Sequence, residues 1–310
     1  MNDEEIEFFQ EQGLVCQDVI ASGSYGIIYN VYHRAYKTNF ALKKIPQKFF
    51  HEGEIECLMN IDDPRIVRLY KYYKFNESIY LLMEYCPSDL EKYMRTHSIS
   101  SREEMKCIIH DVIAAIKVCH ERNIAHCDIK PSNFLIDNYG RIKIGDFGLS
   151  MIDSQSCCCC RGTPLFMAPE VYLKNGYDPI LADVWSVGVL TFLIATGEYP
   201  FYGKDRNTLA QAIRNGFYND REVKDHYLKN LIRHCLDKNP QNRPKISELL
   251  GYQYFQNPIK VPEFSKQEQF LTSCRLVKPK IEKRRSSFGD QFVRIPKIKI
   301  HRNSNESLLV

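Results

Sequence analysis

The sequence predicts an α+β fold, with a small β-rich N-terminal part that carries one helix and a larger, mainly helical part after it. Three observations support this. Short apolar runs broken by glycine or polar turns extend as far as Met83. Met105, Ile108, Ile109, Val112, Ile113 and Ile116 then recur at helical spacing behind the capping-box pattern Ser101-Arg102-Glu103-Glu104. A second apolar helix opens at Asp183-Val184-Trp185-Ser186-Val187-Gly188. With 310 residues and 44% hydrophobic content, the chain can hold one large or two ordinary domains around an ample core.

Composition narrows the class. Twelve irregularly spaced cysteines in a chain this long do not form the disulfide framework of a short secreted domain, so most are expected as reduced thiols. The acidic start Met1-Asn2-Asp3-Glu4-Glu5 lacks the basic and apolar regions of a signal peptide, and the run Val187 to Ala195 is too short to span a bilayer. The expected location is therefore intracellular, in the cytoplasm foremost and otherwise the nucleus. The net charge of +4 is uneven: residues 275–302 hold ten Lys/Arg against Glu282 and Asp290, whereas residues 1–274 carry about −3. Residues 256–310 show no core pattern. This basic tail reads as disordered and suits an acidic partner or membrane surface, with no specific nucleic acid expected. Within it, Arg284-Arg285-Ser286-Ser287 fits a short phosphosite pattern.

Residues 1–17, with Phe8, Phe9, Leu14 and Val15, read as a lead-in to the first strand. Ile20-Ala21-Ser22-Gly23-Ser24-Tyr25-Gly26-Ile27-Ile28 is a glycine-rich turn of the kind that lets backbone approach phosphate, and on its own it also fits an ordinary hairpin. Phe40-Ala41-Leu42-Lys43 is an apolar strand ending in a lysine, which in isolation reads as solvated. Glu54-Ile55-Glu56-Cys57-Leu58 reads as a short helix that starts late, because Pro46 and Gly53 disfavour helix interior. Asp63-Pro64-Arg65-Ile66-Val67-Arg68-Leu69 and Ser78-Ile79-Tyr80-Leu81-Leu82-Met83 read as strands of one sheet, separated by a polar turn at Asn76 and Glu77.

The densest chemistry lies in His126-Cys127-Asp128-Ile129-Lys130-Pro131-Ser132-Asn133, read with Asp146-Phe147-Gly148. Phosphoryl transfer to a hydroxyl requires a carboxylate to orient the acceptor, a cation to meet the phosphate and oxygen ligands for magnesium, and this set offers each. Alone, the run also fits a polar turn. A hairpin of Phe134, Leu135 and Ile136 with Ile142 and Ile144 sets Asp146 opposite Asp128. Cys157 to Cys160 then precede Arg161-Gly162-Thr163-Pro164 and Met167-Ala168-Pro169-Glu170. Four consecutive thiols lack the spacing of a zinc site, since adjacent side chains point apart, and they read chiefly as reactive or structural loop thiols.

Over residues 18–255 these motifs, in this order, resemble the eukaryotic Ser/Thr protein kinases, of the calcium/calmodulin-dependent-kinase-like or a related group. The resemblance implies the bilobal protein-kinase fold, with an N-lobe at 18–86 and a C-lobe at 87–255. It implies transfer of the γ-phosphate of ATP, with Mg2+, to Ser or Thr hydroxyls of protein substrates. It places Ile20, Ala21, Gly23, Gly26 and Ile28 in the loop over ATP, with Ala21 standing where the family has its first glycine. Lys43 holds the α and β phosphates and pairs with Glu54, preferred over Glu52 and Glu56. Ala41, Met83 and Leu135 line the nucleotide pocket, backbone groups of Glu84 and Cys86 meet adenine, and Asp89 meets the ribose. Asp128 orients the acceptor beside Lys130 and Thr163, while Asn133 and Asp146 take magnesium. Asp183 braces the catalytic loop, and Arg243 pairs with Glu170.

Besides Ala21, three departures from the family bear on function. Lys43 and Glu54 are only 11 residues apart, a shorter interval than the family's, which counts against docking of the helix as the family pattern has it. Cys127 stands where the family commonly has an arginine that clamps a phosphorylated activation loop. Activity is therefore expected not to depend strongly on phosphorylation of Ser154, Ser156 or Thr163. Ser132 stands where many base-directed relatives have glutamate, so no arginine-directed preference is expected. The alternative class is a pseudokinase acting as a nucleotide-binding scaffold, motivated by Ala21, the short approach to Glu54 and Cys127; none of these removes a magnesium or phosphate ligand.

Overall fold

The first element is a helix. The Asn2 side chain accepts the Glu5 N–H at 2.9 Å, and the Glu5 carboxylate accepts the Asn2 N–H at 3.1 Å, a reciprocal cap that opens α1 (Asp3–Glu11). The structure is a computed structural model that describes residues 1–23, 26–99, 101–153, 156–173 and 176–256. Ser24, Tyr25, Ser154 and the tail from residue 257, with Arg284-Arg285-Ser286-Ser287, lie outside the described residues. The stretch read as a lead-in is thus largely helical. Only Ile6, Phe8 and Phe9 give α1 an apolar face, too few to stand out as a period.

After α1 come β1 (Leu14–Gly23), β2 (Gly26–His33), β3 (Thr38–Pro46), α2 (Glu52–Asn60), β4 (Leu69–Phe75) and β5 (Ser78–Glu84). The five strands form one antiparallel sheet in the order β1-β2-β3-β5-β4. Strand alternation sends Phe40 and Leu42 into an outer cluster with Phe9, Tyr73, Tyr80 and Leu82. Ile45, Ile79, Leu81 and Met83 point the other way and join Cys57 and Leu58 of α2 in the main core. Asp63–Arg68, expected as a strand, is instead an irregular approach to β4. Asp63 Oδ1 accepts the Arg65 N–H at 2.9 Å, and this local turn around Pro64 competes with extended pairing. Ile66 and Val67 are nonetheless buried, with Ile66 bridged to Ile144.

The C-terminal part comprises β6 (Ser88–Asp89), α3 (Leu90–Thr96), α4 (Arg102–His120), β7 (Ile124–Ala125), β8 (Phe134–Ile136), β9 (Ile142–Ile144), β10 (Met151–Ile152), α5 (Pro179–Thr196), α6 (Arg206–Asn215), α7 (His226–Cys235), α8 (Ile246–Leu249) and α9 (Gln253–Gln256). Ser101 caps α4 at the Glu104 N–H, and the helix buries Ile108, Ile109, Val112, Ile113 and Ile116. The apolar stretch around Val187–Ala195 is part of a longer helix than the run alone suggested. α5 has 18 residues of mean hydropathy 1.7, long and apolar enough to cross a membrane by length and composition, and 78% of it is buried inside the structure. Between β8 and β9, Asp137 Oδ1 accepts the N–H groups of Tyr139 and Arg141 at 2.9 and 3.0 Å, which closes the hairpin that carries Asp146.

Candidate active site

Asp183 anchors the catalytic loop from below. Only 1% exposed on α5, it accepts the His126 N–H at 2.7 Å and the Cys127 N–H at 2.9 Å, and it meets His120 Nε2 at 3.0 Å. His126 is fully buried, accepts the Asp128 N–H on Nδ1 at 3.3 Å and therefore donates from Nε2 to the Gly145 carbonyl at 2.9 Å. The residue thus links the loop of Asp128 to the strand end that presents Asp146. This role had not been assigned from the sequence.

Asp128 is held from three directions. Its Oδ1 accepts the Thr163 hydroxyl at 2.7 Å, and its Oδ2 accepts Lys130 Nζ at 2.6 Å and Asn133 Nδ2 at 3.1 Å. Lys130 also reaches the Thr163 oxygen at 3.2 Å. Asn133 Nδ2 donates to the Asp128 carbonyl as well, at 2.7 Å, so its oxygen is the atom left to face a cation. Gly162 lets the chain before Thr163 cross the Asp128 loop here: at φ +103, a side-chain carbon would lie 2.5 Å from the Cys127 carbonyl oxygen.

On the opposite wall, Lys43 Nζ lies 2.6 Å from Glu54 Oε1 and 2.7 Å from Asp146 Oδ1. The short interval before Glu54 does not keep the pair apart, because α2 begins at Glu52 and places Glu54 in its first turn. Burial pulls the Lys43 ammonium down, but the carboxylates of Asp146 and Glu54 outweigh it and hold Lys43 well above the ordinary lysine range. Burial likewise pushes Asp146 up, and Lys43 reverses this to leave its carboxyl below its usual value. The contribution of this lowered carboxyl is complete above the ordinary aspartate range and is lost only as pH falls through its lowered value. Both partners stay charged at neutral pH.

Most of the residues expected at the nucleotide lie on β1, β2, β3, β5 and β8. Ala41 pairs in register with Met83, Ile28 with Lys43 and Gly23 with Gly26, and Ile20 is 43% exposed. Leu135 lies on β8 in register with Asp89. The Glu84 N–H donates to the Arg68 carbonyl at 2.9 Å and its carboxylate takes Lys143 Nζ at 2.9 Å, which fixes the end of β5. Burial pushes the Cys86 thiol up to about 12, so any contact it makes with a nucleotide is through backbone or a neutral thiol. Asp89 Oδ1 caps α3 through the Lys92 N–H at 2.8 Å, leaving Oδ2 for a ribose. A side-chain carbon at Gly26 would lie 2.1 Å from the Lys44 carbonyl. Gly26→Ala is therefore expected to force β2 off β3 and weaken ATP binding about tenfold or more, measured by equilibrium titration.

Glu170 and Arg243 form a fork, with Nη1 and Nη2 donating to the two carboxylate oxygens at 2.6 and 2.8 Å. The four consecutive thiols occupy different surroundings. Cys157 is buried and bridged to Tyr177, Cys158 and Cys159 are exposed, and Cys160 Sγ accepts Arg206 Nη2 at 2.9 Å. Among the described residues, no group of three or more His, Cys, Asp or Glu is placed to hold a metal ion. Asn133 and Asp146 supply two hard oxygen donors, a set that fits magnesium because that ion keeps several of its own waters and takes few protein ligands.

Residues 15–255 match the protein kinase domain family. Curated relatives include CBL-interacting protein kinase 32 of Oryza sativa subsp. japonica, 34% identical over 220 residues that make up 68% of this chain and 50% of the relative. CBL-interacting serine/threonine-protein kinase 18 of Arabidopsis thaliana is 33% identical over 227 residues, 72% of this chain and 43% of the relative. Carbon catabolite-derepressing protein kinase of Saccharomyces cerevisiae is 31% identical over 255 residues, 79% of this chain and 40% of the relative. The chain spans about half the length of the curated relatives it matches. The family match takes in both walls of the cleft and the α5 anchor beneath it, and the chain belongs to the protein kinase family.

Proposed function

We propose that this chain is a Ser/Thr protein kinase that uses MgATP. The observation that carries the reading is the joint hold of Thr163 and Lys130 on Asp128, at 2.7 and 2.6 Å, which leaves an oriented carboxylate and a cation side by side at one point of the cleft. An acceptor hydroxyl placed there gives its proton to Asp128 as its oxygen bonds to the γ-phosphorus; the bond from that phosphorus to the bridging oxygen breaks, and ADP leaves. Lys130 meets the transferring phosphate, and Lys43, fixed by Glu54 and Asp146, holds the α and β phosphates. Magnesium bound through Asn133 and Asp146 would neutralise charge on the phosphate oxygens. Phosphoamino-acid analysis of a mixed protein substrate tests the acceptor class. Phosphoserine and phosphothreonine are expected, and phosphotyrosine as the main product would contradict the reading.

Independence from activation-loop phosphorylation belongs to the same proposal. Burial first, and then the Asp183 charge, push the Cys127 thiol well above its ordinary range, so this position offers a phosphate a neutral thiol in place of a cation. The Thr163 hydroxyl is engaged with Asp128, which favours a positioning role for it over a phosphosite. Phosphatase-treated and phosphorylated protein are expected to differ in rate by less than about threefold. A gain above tenfold on modifying Ser154, Ser156 or Thr163 would count against it. Intracellular location and an acidic partner for the basic tail are part of the reading, supported by composition and charge.

A further inference from the structure

We propose that Glu5 is a positioning residue for Lys43, acting through Lys44 and β3 from the face of the sheet opposite the cleft. The inference rests on the reading of Lys43 as the group that holds ATP. Neighbouring residues of a strand point to opposite faces, so Lys43 and Lys44 leave β3 in opposite directions. Each ends on a carboxylate presented by a separate helix. Lys43 meets Glu54 of α2, 3% exposed, and Lys44 meets Glu5 of α1, 2% exposed.

Glu5 is unlike a surface ion-pair partner. Besides Lys44 it accepts the Tyr80 hydroxyl at 2.7 Å and the Asn2 N–H at 3.1 Å. Tyr80 lies on β5 in register with Lys44, so one buried carboxylate ties β3 to β5 at a single rung. α1 is itself seated firmly on the sheet. The Phe9 ring meets those of Tyr73 and Tyr80 at 5.4 and 4.8 Å, Phe8 stacks on Phe75 at 4.3 Å, and Asn76 Nδ2 donates to Glu4 at 2.8 Å. Glu5 therefore has a fixed frame from which to hold Lys44.

The mechanical consequence follows from the paired geometry. A roll of β3 about its own axis swings Lys43 and Lys44 together. With a buried carboxylate on each side, both side chains are tethered against that roll; with Glu5 neutralised, only the cleft-side ion pair adds to the resistance of the ladder. The ladder from β3 to β2 and β5 does not need Glu5, so the sheet survives its loss while the Lys43 ammonium loses definition. Displacement of a phosphate-holding group by a fraction of an ångström is enough to weaken a nucleotide site.

The test uses the full chain and compares wild type, Glu5→Gln, Lys44→Gln and the double variant for MgATP dissociation constant, kcat and melting temperature. Each single variant is expected to weaken MgATP binding about fivefold, with kcat at saturating ATP changed less than about twofold. The double variant is expected to be no weaker than either single one, because the two residues act only through each other. If Glu5→Gln does not fold, Lys44→Gln carries the same expectation. A lower melting temperature with unchanged MgATP affinity in the folded protein would make the pair merely structural and overturn the proposal, as would additive losses in the double variant. A folded wild type that binds no MgATP overturns both this inference and the reading of Lys43, which separates that failure from failure of Glu5 alone.

Discussion

Asp128→Asn is expected to lower kcat by about 10³-fold while leaving ATP affinity within about twofold, as read from steady-state transfer and equilibrium nucleotide binding. The substitution keeps the shape of the side chain and an oxygen for the Thr163 hydroxyl, which now donates to Oδ1 at 2.7 Å. It removes the group that takes the acceptor proton. It also removes the charge that holds Lys130 at 2.6 Å, so the cation meant for the transferring phosphate is released at the same stroke. Lys43, Glu54 and Asp146 lie on the other wall and keep their own bonds, which is why ATP affinity is expected to survive. A loss of less than tenfold would show that Asp128 does not orient the acceptor.

Arg243→Leu is expected to destabilise the fold by about 3–5 kcal/mol, a fall in Tm of about 10 °C, measured by thermal or urea unfolding. Arg243 is 5% exposed and its guanidinium donates four hydrogen bonds. It forks onto Glu170, donates to the Leu181 and Asp237 carbonyls at 2.9 Å each, and lies over the Trp185 ring at 5.2 Å. Leucine leaves the Glu170 carboxylate without its cation and two carbonyls without donors. Arg243→Lys is expected to recover only part of the loss, because an ammonium cannot reproduce the planar fork. A loss below about 1 kcal/mol for Arg243→Leu would mean that solvent replaces these bonds at little cost.

Local runs were legible where chemistry constrains neighbouring residues. The 126–133 segment and Asp146 stand out because carboxylate, cation and amide must occur within a few positions, and the structure brings Asp128, Lys130, Asn133 and Thr163 within hydrogen-bond reach. Glu54 could be preferred over Glu52 and Glu56 only by motif spacing, and it is Glu54 that meets Lys43. What escaped the sequence reading depends on long-range packing. α1 is held by an aromatic seat on distant strands and by the Glu5 tie to Lys44 and Tyr80, none of which leaves a local period. Asp63–Arg68 carries strand-forming Ile66 and Val67, yet the Asp63 turn wins over ladder pairing. Gly162 passed as part of a motif; its reason is the close crossing of the Cys127 carbonyl, visible only once two segments 35 residues apart are placed together.

The central claim is most directly tested by following the γ-phosphate of ATP from wild-type protein to a Ser/Thr-bearing protein substrate, with nucleotide binding measured on the same preparation. The account predicts transfer that requires a divalent cation, stops on its chelation and is lost in Asp128→Asn. A folded wild type that binds MgATP but transfers no phosphate, whether phosphorylated or not, would contradict it and leave a nucleotide-binding scaffold.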